Sequence, residues 1–464
     1  FCYDIDNVTA TRKGECMSDK KPRKLNLSMQ AVSDNIVYSK RDQFAYYRVA
    51  NSVYDFLSND SKVQLAAQLT NAFTNLMGDR TEPLDCQIIT TSIPVDIDAW
   101  EAQVREVSET WNRGPGFDEY LAQMYNYLAT EEYMKKVVYL GVKLGSRGTV
   151  DFDVAGAIEQ GFDGVKRELR KAFSRFTLTP DSNVSAREEE RARSKEEEIF
   201  RILSHGHLEA KRCTAEEILL FVKRQFYPAM PAPYLDVDHD NRLGPGDLEL
   251  ELGSAIYNRL RYLEFNQIYG DTELEGYRAT LTMSRFPKEM EYPYSIPFIY
   301  FLTYIGLPFT CYSRFRLSPS KKMKKQLEKK KEETRDQFEN MAEGNTTENS
   351  LGLVASEAQE AVLDMQKLEE MLNDDRTPWV EGTYRIVVEG DTEDHLKSNC
   401  SLVKQHYLDL GINVNWTIGD QADLFLESLP GDYARDKAHQ QVTNLTMLST
   451  SGFNFSSDVG DPIK

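Results

Sequence analysis

Met77-Gly78-Asp79-Arg80-Thr81-Glu82-Pro83 and Asn373-Asp374-Asp375-Arg376-Thr377-Pro378 are the stretches on which the reading of this chain turns. Each stands between an amphipathic helical pattern and a run of strand-forming residues. Before the first, Leu65, Leu69, Phe73 and Leu76 fall on one helical face, and Gly78 supplies a stop. After it, residues 86–93 read as a strand. The shared junction predicts that one kind of α+β unit occurs twice.

Working outward, strands at 35–39 and 43–49 split by Lys40-Arg41-Asp42 predict a hairpin. Trp100, Val104, Val107 and Trp111 mark a helix, Gly114-Pro115-Gly116 breaks it, and 117–129 form another. A strand at 136–144 closes the unit, an antiparallel sheet with helices on one face. Helices follow at 159–176 and 186–200, the latter so dense in mixed charge that a solvated helix with few buried residues is expected. Thr214-Ala215-Glu216-Glu217 has the form of an N-cap for a helix ending at Phe226, before Pro228, Pro231 and Pro233.

The second half repeats the scheme, with strands at 278–284 and 309–317, helices at 320–341 and 355–372, and a strand at 384–389. Leu396, Cys400, Val403, Tyr407 and Leu410 then mark a helix stopped by Gly411, and Ile412, Val414, Trp416 and Ile418 alternate as in a strand. The expected fold class is therefore α+β, with two related sheet-plus-helix units at 32–150 and 273–430. A helical, charged linker region (151–235) and an acidic connecting segment (236–272) join them. An irregular segment (1–31) precedes them and a connector (431–464) follows.

With 464 residues, the chain is long enough for more than one core. Its 41% hydrophobic content, with 24 Tyr and 22 Phe, is that of a folded protein. A net charge of −19 argues against a surface built throughout to grip phosphates. Cys2, Cys16, Cys86, Cys213, Cys311 and Cys400 are scattered without zinc-ligand spacing and read as reduced thiols of a cytosolic protein. Sequons such as Asn399-Cys400-Ser401 and Asn415-Trp416-Thr417 carry no meaning without a secretory route. The chain begins at Phe1 with a polar stretch, which reads as the start of a fragment rather than a signal peptide. The uncharged run 292–313, followed by Arg314, Arg316 and Lys321, resembles a membrane span. Pro293, Pro297, Gly306 and Pro308 interrupt it and favour a buried helix, turn and strand.

No G-x-x-x-x-G-K-[ST] occurs. The nearest string, Gly141-Val142-Lys143-Leu144-Gly145-Ser146-Arg147-Gly148, reads as a strand end and a turn. Asp236, Asp238, Asp240 and Asp247 match the acidic spacing of a calcium loop, but Asn241 stands where the turn glycine belongs, so an acidic linker is expected. Arg314, Arg316, Lys321, Lys322, Lys324 and Lys325, with Lys329, Lys330 and Lys331, could meet nucleic acid or anionic lipid. Interleaved Glu328, Glu332 and Glu333 equally suit a solvated helix. His205, His207, His239, His395, His406 and His439 lack partners at ligand spacing and read as loop histidines.

Near the carboxyl end stand Phe425-Leu426-Glu427-Ser428-Leu429-Pro430-Gly431-Asp432, Arg435, Thr443-Asn444-Leu445 and Val459-Gly460-Asp461. This pattern resembles the TraC/TrsE-like (VirB-type) ATPases of conjugative type IV secretion systems. Phe286-Pro287, Arg314, Arg316, Asp336-Gln337 and the strand 138–145 resemble earlier parts of the same family, so the resemblance runs from about Val32 to Asp461. It implies a non-catalytic amino-terminal scaffold whose RecA-like motor domain, with its ATP and Mg, is absent from this chain. It further implies hexamer assembly, a cytoplasmic location at the cell membrane, contact with channel and inner-membrane subunits, and contact with a DNA or relaxase substrate. No catalytic or cofactor-binding residue is carried over. A nucleic-acid module on 321–331 and a calcium-stabilised adaptor on 236–247 are the alternatives.

Overall fold

In the computed structural model, which describes residues 27–49, 57–94, 97–109, 114–130, 134–147, 186–205, 208–226, 255–269, 272–285, 310–320, 377–435 and 441–443 with 228, 242–243, 307, 324–325, 328–329, 445 and 448, the alternating stretches form fourteen strands. They are β1 (Met29–Ser33), β2 (Ile36–Ser39), β3 (Asp42–Val49), β4 (Leu84–Pro94), β5 (Met134–Ser146), β6 (Lys211–Arg212) and β7 (Arg242–Leu243). The second half adds β8 (Ala255–Asn258), β9 (Leu263–Tyr269), β10 (Thr272–Arg285), β11 (Thr310–Ser318), β12 (Trp379–Gly390), β13 (Asn413–Trp416) and β14 (Gln441–Thr443). The described helices are α1 (Asn59–Met77), α2 (Ile97–Glu109), α3 (Phe117–Thr130), α4 (Ala186–His205), α5 (Ala215–Phe226), α6 (Glu393–Asp409) and α7 (Gln421–Ser428).

Local chemistry sets the helix ends. The Ser58 hydroxyl accepts from Ser61 N at 3.2 Å to open α1, and Gly78 ends it at φ 48°, a left-handed conformation that suits glycine. Thr214 and Glu217 exchange side-chain-to-backbone bonds of 3.1 and 2.9 Å, the capping box expected for α5. Thr392 caps α6, and Gly411, at φ 75°, turns the chain into β13.

All described strand pairs are antiparallel and belong to one sheet, ordered β7-β1-β2-β3-β5-β4-β11-β12-β10-β9-β8. β4 and β11, joined over Leu84↔Leu317 to Thr91↔Thr310, form the seam between the halves. Outward from that seam the order is β4, β5, β3, β2 on one side and β11, β12, β10, β9 on the other. β6 lies beside β3, and β13 lies beside β10. The helix–strand–helix run α4-β6-α5 is matched by α6-β13-α7. The two junction stretches do not occupy matching places in this order. Met77–Pro83 leads into β4, a seam strand, whereas Asn373–Pro378 leads into β12, one strand removed from the seam.

Strand alternation sends apolar side chains to both faces. One core lies under α1, α4 and α6 and includes Phe73, Leu140, Ile199, Phe315, Ile386 and Tyr407. The other lies under α5 and α7 and includes Phe44, Tyr139, Val222, Phe226, Tyr312 and Phe425. Both cross the seam, so helices cover both faces rather than the expected single face. α4 presents the solvated face expected of it and has few buried residues, and that buried stripe packs on the sheet. Its Ala192, Glu196, Ile199 and Leu203 are buried at helical spacing, and Glu196 receives both Arg212 Nε and Asn35 Nδ2. Its charges occupy the remaining face, which composition alone does not separate from the packed one. β1 begins in the segment expected to be irregular (1–31), and β14 with buried Leu445 and Leu448 falls in the expected connector.

Helices expected at 159–176 and 355–372 lie outside the described residues, as does most of 320–341 and of the uncharged run 292–313. No described helix is long and apolar enough to cross a membrane.

Across the seam the Phe73 and Phe315 rings meet edge to face at 6.0 Å, and the Thr91 and Thr310 hydroxyls share a 2.7 Å hydrogen bond. Phe73→Ala is expected to destabilise the chain by about 3–5 kcal/mol in urea unfolding. A loss below about 1 kcal/mol would show that this contact does not anchor α1.

Candidate functional site

Beneath α7 the second face of the sheet turns polar. Arg278 on β10, Arg385 on β12 and Arg314 on β11 occupy inward positions, with exposures of 1%, 1% and 6%. α7 and the turn after it supply the partners. Arg314 Nε and Nη2 donate to Glu427 O at 3.0 and 2.7 Å, Nη2 also donates to Leu429 O at 2.7 Å, and Nη1 donates to Asp432 O. These carbonyls close the C-terminal end of α7, where unpaired C=O groups gather negative potential. A guanidinium at that point satisfies them and is itself desolvated without loss of partners.

The remaining groups interlock. Arg385 Nε faces Glu427 Oε1 at 3.4 Å, both side chains being fully buried, and Arg385 Nη1 donates to Thr282 Oγ1 at 2.7 Å. Glu427 Oε1 accepts from Thr383 at 3.3 Å, and Oε2 accepts from Arg435 N at 3.1 Å. Asp432, also buried, binds Arg435 Nη2 at 2.9 Å and receives Tyr433 N at 2.7 Å. Arg278 donates to Gln225 O at 3.1 Å at the end of α5 and lies 5.1 Å over the Phe425 ring. Burial lowers its pKa, opposed by Glu389. The Gln421 amide pairs with Thr280 N and O at 2.7 and 3.1 Å, as a neighbouring strand would.

Each of these side chains has partners in its own chain, with Arg278 Nε and Arg435 Nε left without a hydrogen bond. The arrangement therefore holds the stretch 425–435 in place, and nothing in it sets a nucleophile beside a base. Among the described residues no three His, Cys, Asp or Glu side chains gather as a metal-binding group. Cys86, Cys213, Cys311 and Cys400 are free and buried, and burial pushes each thiol up.

Of the residues expected to meet phosphates, Arg314 turns inward to carbonyl oxygens, because its strand position faces a core rather than solvent. Arg316, two residues on and half exposed, binds Asp85 at 2.6 Å. Lys324 and Lys325 are helical, Lys325 being exposed, whereas Lys321 and Lys322 lie outside the described residues. Asp236, Asp238, Asp240 and Asp247 also lie outside them, and Arg242 and Leu243 form β7 against β1. His395 and His406, expected on loops, are on α6, and His205 ends α4. Asn399 of the first sequon is buried and donates to Glu389 O at 3.0 Å. Of the string 141–148, residues 141–146 form the end of β5 as expected, Gly148 lies outside the described residues, and Gly141 packs against the Tyr46 ring.

Sequence reasoning singled out neither Arg278 nor Arg385. Their signal was a charged residue at a core-facing position of a strand, visible only once the strand's inward face is known. No protein-family model matches this chain, and comparison with curated proteins found no match.

Two measurements follow. Arg314→Met removes the donors to the carbonyls of Glu427 and Asp432, leaves Leu429 O only its 3.4 Å bond from Asp432 N, and is expected to cost about 3–5 kcal/mol, against about 0–1 kcal/mol for Arg316→Met. Equal losses in urea unfolding would refute the assignment. Burial pushes Tyr46 up to about 12 and Tyr312 well above its ordinary value. Unfolded tyrosines ionise near pH 10, so this stability is complete below about pH 10 and is lost as pH climbs towards 12. Tyrosinate absorbance rising together with loss of tertiary circular dichroism is expected. Ionisation of all tyrosines near pH 10 in a still-folded chain would contradict it.

Proposed function

We propose that this chain is the amino-terminal, non-catalytic scaffold of a conjugative-transfer motor ATPase of the TraC/TrsE-like kind, which orients a motor domain against the channel at the cytoplasmic face of the cell membrane. The supporting observation is that the stretch carrying the resemblance, Phe425 to Asp432, is fixed by buried hydrogen bonds from β11 and β3. Arg314, itself part of the resemblance, is the residue that holds it. A segment so fixed gives whatever follows it a defined starting point and direction.

On this reading ATP and Mg belong to the motor, and the partners are copies of the protein, the inner-membrane channel subunits and the DNA or relaxase substrate. The recurring strand order on the two sides of β4 and β11 supports the idea of two related units, here sharing one sheet.

The test has two arms. The chain alone, with Mg and ATP, is expected to release no phosphate above buffer, and turnover would overturn the scaffold reading. In a donor cell lacking the gene, the full-length protein is expected to restore plasmid transfer and to co-purify with inner-membrane channel subunits. Restoration of neither by a stably expressed protein would sink the proposal.

A further inference from the structure

Residues 428–435 leave α7 above the second half of the sheet and run onto the first half. Gln87 Nε2 on β4 donates to Ser428 O at 3.4 Å. Gly431 N donates to Tyr46 Oη on β3 at 2.7 Å, and that hydroxyl donates to Gln87 Oε1 at 2.6 Å. Gly431, at φ 75°, sits so close to β2 that an added Cβ would lie 2.7 Å from Val37 Cγ1. Beyond it, Arg41 lies 4.6 Å over the Tyr433 ring, and Arg435 Nη2 donates to Ser28 Oγ at 3.3 Å. The segment is thus tied to β11, β4, β3 and β2 in turn and crosses the β4–β11 seam.

We propose that residues 428–435 are a latch that couples the two halves of the sheet into one cooperative unit. The seam strands are bonded over eight residue pairs, and the strap adds a second join on one face. Arg314 fixes one end of it, and the Gly431 seat on Val37 and Tyr46 fixes the other. A pull on the chain beyond Arg435 therefore acts on both halves at once. The inference concerns this chain alone and stands or falls separately from the motor reading.

Gly431→Ala tests it, because the new methyl meets Val37 in a backbone conformation that disfavours any Cβ. Hydrogen exchange of the amides in β4 and β11 is expected to accelerate about tenfold or more, while β9–β10 amides keep their rates. The Ser39 Cβ lies 3.6 Å from the Cβ position at Gly431, within disulfide range. Oxidised Ser39→Cys/Gly431→Cys is expected to regain slow seam exchange, and the reduced form to resemble Gly431→Ala. Unchanged seam exchange in Gly431→Ala, or equal exchange in the oxidised and reduced double variant, would overturn the latch. If Gly431→Ala fails to fold, Tyr46→Phe, which removes the hydroxyl that receives Gly431 N and adds no Cβ, is expected to accelerate seam exchange in the same direction, and unchanged seam exchange there would overturn the latch.

Discussion

The guanidinium of Arg314 against the closing carbonyls of α7 is the interaction on which the second face of this molecule depends. A planar fork with fixed donors can satisfy the Glu427, Leu429 and Asp432 oxygens together. A lysine would bring charge without that geometry. Because the donor sits on β11, beside the seam, the last turn of α7 is pinned at the centre of the sheet. The chain that follows is delivered onto the opposite half.

The two faces solve burial differently. Under α1, α4 and α6 the sheet is aliphatic and aromatic, so helix placement there is a matter of shape and area. Under α7 it carries three arginines whose partners are two carboxylates, two hydroxyl groups and main-chain oxygens. Such a network contributes little net stability beyond what an apolar core would give. It accepts only one register, however, because any shift leaves a buried charge unpaired. The proposed scaffold role would ask for that property, a defined exit direction, more than for extra stability.

Within this arrangement the polar residues serve the fold. Arg314 stabilises a turn, Asn399 and Glu196 join helices to strands, and the buried thiols are held in the protonated form. The functional proposal accordingly rests on position and on resemblance rather than on a reactive group. Tyr46 and Gln87 take on meaning only as the seat of the strap, since neither type nor spacing distinguishes them in the sequence.

Sequence by itself determined what neighbouring residues decide. The β2–β3 hairpin, the stop of α1 at Gly78, the capping box of α5, the apolar stripe of α6 and the alternation of β13 follow from periodicity and from caps that act within a turn or two. Even the Leu429-Pro430-Gly431-Asp432 stretch was visible as a pattern. Tertiary structure alone decided that α4 is buried on one side, that Arg314 faces inward, that helices cover both faces, and that the repeated junctions fall at unmatched places. The reason is that a strand carries no record of its neighbour. Pairing β4 with β11, more than two hundred residues apart, is settled by which faces the whole sheet can bury, and that choice assigns each charged side chain to core or solvent.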